Sequence, residues 1–519
     1  MFNWRPLKLK NAHIILLCVI VLSGACIRFI NITQPLLEGS PSKQITTAMI
    51  AKNYYTNGFK LLYPQADGSG DKPGYLPQEL YILPFIAAVF YKLCGGVHEF
   101  ILRFLSVISY VLATIMLYKL SAYYFNKKIG LISAFCFSVS PLSIYLGRAV
   151  HQEMLIIFFN MSTIYFFSGW IYDKKRHFGI ISIFLFILAV LLKIPNLYLL
   201  LPLLFIAFTK SGFGIIKDFR LWFFFIASLI PILVFNYHQQ LVRIAFPNTA
   251  MDNFKMAMVL KYIKVYLFEK TFYKSIFENM ATYTLTPIGF TLFFMGLLIK
   301  FKEKRQCILY VWLSAVIIFF LIMPAQSIQG YYQAHLLPIA CILIGQFIFY
   351  LSESDIYKHG IFGFGKNFAA AIFILIVLAI VARYTYPYYR VPDNFRYVSE
   401  ASKAIDCLTE KDALVIVSLE NSIGLLYYSN REGWGFTINK EAVRDDEKRL
   451  GETPDPIVYN PVKYLEFLRS EGADYFASAS MKEFMGHKEF SKYMLDNYKV
   501  TSRTPNYIIF DINAKQRAK

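Results

Sequence analysis

Acidic side chains beside long apolar runs are costly to keep and informative where they occur. In this sequence Glu38, Asp67, Asp71, Glu79, Glu99 and Glu153 fall in such places. Two are best placed for chemistry. Glu38 follows the first apolar run in Gln34-Pro-Leu-Leu-Glu-Gly-Ser-Pro-Ser-Lys-Gln44, a turn-forming stretch that can aim a carboxylate back over a membrane. Glu153 sits in Gly147-Arg-Ala-Val-His-Gln-Glu153, between two apolar runs. A carboxylate held there can orient or deprotonate a hydroxyl. The plainer reading of each is a helix-start acid favoured by the macrodipole. Arg148 beside Glu153, and Lys193 in Leu192-Lys-Ile-Pro195, offer positive charge for an anion, or simply snorkel to the membrane surface. His335 begins an apolar run, where a polar ring is more often structural than catalytic.

These groups must be positioned by membrane helices. Of 519 residues 56% are hydrophobic and 18% aromatic, more than a soluble core of this length can hide. The net charge is +19, from 53 Lys and Arg against 34 Asp and Glu. Because these cations sit in short loops between apolar runs, they suit anionic lipid head groups and argue against a nucleic-acid partner. Of seven cysteines only Cys407 lies in the polar tail, and no disulfide framework or zinc spacing is visible. No ligand spacing calls for a metal, and a divalent ion is left open.

Runs long enough to span lie near 12–32, 98–120, 128–147, 153–172, 178–194, 196–209, 220–237, 284–301, 307–324, 335–351 and 367–386. The expectation is therefore an α-helical polytopic membrane protein with about eleven spanning helices and a small C-terminal α/β soluble domain. Run 12–32 reads as an uncleaved span rather than a secretory signal, and run 196–209 is the shortest. Alternate loops are basic, at Lys127-Lys128, Asp173-Lys174-Lys175-Arg176, Lys210 with Lys217, Lys302-Glu303-Lys304-Arg305, and Lys358. The positive-inside rule puts these on the cytoplasmic side, and residue 387 onward outside. Run 80–95, with Pro84, breaks the alternation and reads as a helix dipping into the outer leaflet. It belongs to a large external first loop, 31–97, whose stretch Gln44–Tyr55 is expected as an amphipathic helix on the membrane surface. A second external loop, 238–283, carries Lys255, Lys261, Lys264, Lys270 and Lys274 among aromatics, as an interfacial helix would. Residues 1–389 thus form the membrane domain and 390–519 an extracytoplasmic accessory domain. In that tail, strands are expected at Ala413–Leu419, Asp474–Ser478 and Tyr507–Asp511, and helices at Val462–Glu471 and Phe490–Asn497.

Motifs in loop one carry a family resemblance. Lys43-Gln-Ile-Thr-Thr-Ala-Met-Ile-Ala-Lys-Asn-Tyr-Tyr55, Leu62-Tyr-Pro-Gln-Ala-Asp67 and Gly74-Tyr-Leu-Pro-Gln-Glu-Leu-Tyr81 resemble a bacterial branch of glycosyltransferase family 39. That branch belongs to the GT-C superfamily, with the protein O-mannosyltransferases and the aminoarabinose transferase of lipid A. The resemblance continues through Glu99–Arg103, Ser140-Pro-Leu-Ser-Ile-Tyr-Leu-Gly-Arg148 and Gly330-Tyr-Tyr-Gln-Ala-His-Leu-Leu-Pro338. Departures are specific. Glu38 stands where the family has Asp, Ser40 where it has His, Ser42 where it has Trp, and Lys43 where it has Arg. Gln78-Glu79-Leu80 lacks the usual Pro after the acid, and His151-Gln152 replaces a Met-Pro-like approach to Glu153.

The resemblance implies an inverting transferase in a bacterial inner membrane. Its donor would be a sugar on a polyprenyl phosphate, presented at the outer leaflet, and its acceptor a lipid, glycan or protein hydroxyl. Glu38 would be the base, with Glu153 as the second acid of the site. Lys43, Arg148 and Lys193 would hold the leaving phosphate, while Gln44, Glu79, Tyr332 and His335 would contact substrate. Rival readings are a flippase or transporter for a lipid-linked glycan, a glycan polymerase or ligase using the same carrier, and an inactive scaffold. A transporter tends to show internal repeats and mid-membrane charges. Here no half is duplicated and the acids gather toward one face.

The topology is tested by cysteine labelling at Ser69, Asn248 and Ser480 in cells with a permeabilised outer membrane. All three positions should label before the inner membrane is lysed.

Overall fold

The computed structural model describes residues 11–246, 256–354, 366–418, 422–438 and 460–515. Lys255, Leu419 and Lys358 from the expectations above lie outside them. Each expected apolar run contains helix. Seven helices among the described residues are long and apolar enough to cross a membrane: Ala12–Phe29, Glu99–Tyr124, Glu153–Ile171, Ile194–Lys217, Phe219–Ala245, Lys304–Ile322 and Ala370–Tyr389. The short run near 196–209 is thus part of a longer helical stretch, in which 3-10 turns flank the α-helix Leu200–Ser211. Shorter apolar helices are Ile82–Cys94, Arg176–Leu192 and Leu337–Glu353.

Two runs are broken by their own chemistry. Run 128–147 divides into Lys127–Val139 and Pro141–Leu146. Pro141 forces Ser140 out of the helical region (φ −61°, ψ 133°), and Ser140 then caps the second piece by accepting from the Ser143 amide. Run 284–301 starts at a 111° bend between Lys270–Thr284 and Thr286–Leu297, where Thr286 takes a left-handed φ of 65° ahead of Pro287.

The chain divides into two units. One comprises residues 1–32, 103–236 and 266–389. Within it, buried Arg28 joins several helices. Its guanidinium lies 3.4 Å from the Tyr110 ring centroid and donates to the carbonyls of Gly24 (2.8 Å) and Ser138 (3.3 Å) and to Ser143 Oγ (2.8 Å). Spending the charge on carbonyls and an aromatic face is what makes an interior arginine tolerable among apolar helices.

The other unit comprises residues 33–102, 237–265 and 390–519. Its sheet has strands β1 (Leu414–Ser418), β2 (Glu432–Phe436), β3 (Tyr475–Ser478), β4 (Tyr498–Arg503) and β5 (Ile508–Lys515), in the order β2-β1-β3-β5-β4. β1 pairs in parallel with β2 and β3, setting Ile416 against Trp434 and Phe476, while β5 runs antiparallel to both β3 and β4. Ile416, Phe436, Phe476, Phe490 and Phe510 form its buried core, under helices that include Pro461–Ser470 and Lys488–Asn497. The expected tail strands at 413–418, 474–478 and 507–511 and the two expected helices are present. β2, Glu-Gly-Trp-Gly-Phe, escaped notice because glycines are poor strand formers.

The stretch expected as a surface helix is Pro41–Thr56, and its setting differs from that expectation. Ile45, Ala48, Met49, Ile50 and Ala51 are fully buried, and Gln44, Thr46, Thr47, Asn53 and Tyr54 are buried as well. Apolar and polar side chains alike are covered, so the helix is packed inside its unit instead of lying on a lipid surface.

Gly70 shows how loop one meets the sheet. Its amide donates to the Gly433 carbonyl (2.8 Å), Ser69 bridges to Trp434, and its φ is +69°. A Cβ there would come within 2.1 Å of the Trp434 ring, whereas one at exposed Gly58 (φ +96°) would meet nothing within 4 Å. Gly70→Ala should therefore cost more than Gly58→Ala, about 3 kcal/mol against about 1 kcal/mol, because both carry backbone strain but only the first adds a clash. Thermal unfolding of the two purified variants checks the difference.

Candidate functional site

In the first unit a polar cluster forms around Glu153. Helix Glu153–Ile171 begins at this residue, and helix Arg176–Leu192 ends where Lys193 turns extended (φ −162°, ψ 109°) ahead of Ile194-Pro195. The two ends meet. Lys193 Nζ donates to Glu153 Oε1 at 2.6 Å, and the side chains are 4% and 3% exposed. Lys193 therefore does not snorkel. Its ammonium also lies 3.9 Å from the Tyr332 ring centroid and 5.4 Å from that of Tyr331. An ammonium has three donors, and Glu153 takes one of them.

His335 closes the cluster from the turn Gly330–His335. Its Nδ1 is 3.3 Å from the Tyr198 hydroxyl, and its buried Nε2 has no partner among the described residues. Asn160 Nδ2 donates to Tyr198 Oη (3.1 Å) and to Asn196 Oδ1 (2.8 Å). It lies two turns beyond Glu153 on the same helix face.

Arg148 is fully buried and anchored differently. It donates to the main-chain carbonyls of Tyr388, Ile30 (2.9 Å) and Asn31 (3.3 Å), with its guanidinium 4.5 Å from the Tyr389 ring centroid. These contacts tie the ends of helices Ala12–Phe29 and Lys366–Thr385 together.

The second unit holds the loop-one residues. Gly39 adopts φ 63° straight after Glu38, and Pro41 opens helix Pro41–Thr56. That left-handed residue lets the chain reverse into the helix. Glu38 is fully buried, and its carbonyl accepts from Gln44 Nε2 at 2.7 Å. Lys43 Nζ lies 3.3 Å from Glu79 Oε2, with the two side chains 27% and 18% exposed. One turn or more along the same helix, Lys52 pairs with Asp67 (3.6 Å) and Asn53 donates to it (2.6 Å). Glu432 of the tail faces this group, and burial first, then the charge of Asp67, holds its carboxyl above the usual range against the pull of Lys52. Among the described residues, no group of three His, Cys, Asp or Glu could hold a metal ion.

Comparison with known proteins agrees with this architecture. The family model described as dolichyl-phosphate-mannose-protein mannosyltransferase matches residues 77–238. The crystal structure of ArnT from Cupriavidus metallidurans bound to undecaprenyl phosphate superposes with a TM-score of 0.61 at 13% identity, over 95% of this chain and 97% of that one. The chain shares the fold of ArnT over nearly its whole length. Archaeal oligosaccharyltransferase AglB from Archaeoglobus fulgidus, in complex with an inhibitory peptide and a dolichol-phosphate, gives a TM-score of 0.55 at 14% identity, over 96% of this chain and 74% of that one. Arabinofuranosyltransferase AftD from Mycobacteria gives 0.55 at 13%, over 96% of this chain and 41% of that one. No curated protein sequence matches. At these identities the structures establish the fold, and residue roles rest on this chain's own geometry.

The structure thus groups Glu153, Lys193, Tyr332 and His335 in one unit, and Glu38, Gln44, Lys43 and Glu79 along loop one of the other. Sequence reading passed over Asn160, Asn196, Tyr198 and Tyr331. A polar Asn160 within the apolar run 153–172 was the available signal. Tyr331 could not be told from its neighbour Tyr332.

The Glu153–Lys193 pair is open to a double-mutant cycle. Glu153→Gln or Lys193→Met alone should destabilise by about 3–5 kcal/mol, since each strands a buried charge. The double variant should recover much of that loss. Thermal or denaturant unfolding in detergent measures all three.

Proposed function

We propose that this chain is a glycosyltransferase that moves a sugar from a polyprenyl-phosphate donor to a hydroxyl acceptor, with inversion, at the outer face of the cell membrane. The observation that carries the reading is a lysine held deep inside an apolar bundle, Lys193, with one ammonium donor on Glu153 and its face against Tyr332. A buried cation with donors to spare suits a group whose negative charge grows during reaction, as a departing phosphate's does. The undecaprenyl phosphate and dolichol-phosphate in the similar folds of ArnT and AglB support the same donor class.

The acceptor oxygen attacks the anomeric carbon as the bond from that carbon to the phosphate oxygen breaks. The electron pair leaves with the polyprenyl phosphate, and the acceptor proton passes to a carboxylate. Glu38 is the proposed base, because its burial and the turn after it hold the side chain in one place. Glu153 orients Lys193 and so serves the phosphate rather than the proton. Lys43 and Glu79, paired and partly exposed, are proposed to meet sugar and acceptor hydroxyls with Gln44, Tyr332 and His335. Arg148, engaged by three carbonyls, is proposed as a support for the phosphate site and not a direct ligand.

Release of free polyprenyl phosphate reports turnover whatever the acceptor. Incubated with labelled polyprenyl-phosphate sugars, Glu38→Gln should turn over roughly 100-fold more slowly than wild type with donor binding little changed. Wild-type turnover in that variant would pass the role of base to Glu79.

A further inference from the structure

Away from the residues assigned above, the first unit has a recess of about 1060 Å³. It opens where helices Glu99–Tyr124, Thr286–Leu297 and Leu337–Glu353 end, beside the basic loops 127–128 and 302–305. Its volume is at the upper end of the range, about 300–1,000 Å³, that holds a small ligand. Much of the wall is apolar, with Met295, Leu298 and Phe347 among the lining side chains.

The polar part of the lining is unbalanced. Glu303 and Glu353 are already paired, with Arg305 (2.6 Å) and Lys128 (3.2 Å). Lys300 and Lys302 are exposed and have no ion-pair partner among the described residues. Gln346 also lines the recess. It is 7% exposed, and its buried Oε1 has no hydrogen-bond partner among the described residues. A buried acceptor left without a donor is costly, and the cost is relieved when a ligand supplies one.

We infer that this recess binds one anionic membrane phospholipid whose head group carries a hydroxyl as well as a phosphate. The phosphate answers Lys300 and Lys302, the hydroxyl donates to Gln346, and the acyl chains follow the apolar wall. A soluble phosphate would use the lysines and leave that wall uncovered, so the structure favours the lipid. The site is independent of the sugar-transfer reading, because none of the residues assigned to that reaction lines the recess.

Native mass spectrometry of the full-length protein, titrated in detergent with single lipids, tests this. Phosphatidylglycerol should saturate as one copy, with phosphatidylcholine at least tenfold weaker. Lys300→Gln and Lys302→Gln should each weaken phosphatidylglycerol about fivefold, from about 1 kcal/mol per surface lysine. Gln346→Leu should weaken phosphatidylglycerol and leave phosphatidic acid, which has no head-group alcohol, unchanged. The two lysine variants are separate surface changes, so misfolding of one leaves the other to decide, and only variants with the wild-type melting temperature are compared. Equal binding of phosphatidylcholine, binding of free glycerol phosphate as tight as the lipid, or unchanged phosphatidylglycerol binding in folded lysine variants would each overturn the site.

Discussion

A charge inside an apolar bundle has to be answered by another charge, a carbonyl or an aromatic face, and the contact between Glu153 and Lys193 is where this constraint bears hardest. Both side chains are nearly sealed from solvent. Either alone would be strongly destabilising, and together they still give up hydration that their attraction repays only in good geometry. The geometry comes from elements that have no other reason to stop where they do. Pro195 makes helix Arg176–Leu192 end at Lys193, and helix Glu153–Ile171 starts at its partner. Tyr331 and Tyr332 then close over the ammonium.

The same rule separates the cations that build this protein from those proposed to act. Arg28 and Arg148 spend their donors on main-chain carbonyls and stack on tyrosines, so they join helix ends. Guanidinium geometry suits that task, since it offers several donors in a fixed plane. Lys193 is a compact charge held at one point, with donors remaining. Lys43 and Glu79, partly exposed, keep the freedom to exchange their mutual contact for a ligand.

Loop one owes its shape to similar local chemistry in the second unit. A left-handed Gly39 and a proline at the helix start fix the direction of Pro41–Thr56, and burial of nearly every face of that helix makes it a rigid mount for Glu38, Gln44 and Lys43. Rigid mounting matters to the base proposed at Glu38, because a base misplaced by an ångström loses much of its effect. The likeness to ArnT over nearly the whole chain, at 13% identity, fits a fold specified by helix lengths and breaks more than by particular side chains.

The helices were legible because twenty apolar residues in a row have few other fates, whereas the breaks at Pro141 and Pro287 fell inside or at the edge of runs read as unbroken. The alternating tail was legible for a similar reason, apart from the glycine-rich strand β2. The resemblance in loop one was also readable from sequence, since turns and local spacing are written in consecutive residues. What sequence could not supply was which distant side chains meet. Residues 153 and 193 are forty apart, and 332 is further still, so their meeting depends on how helices pack. Burial of Gln44–Tyr55 was misread for the same reason. Its mixed polar and apolar pattern looks like a surface helix until other segments of its unit cover both faces, and only tertiary packing decides that.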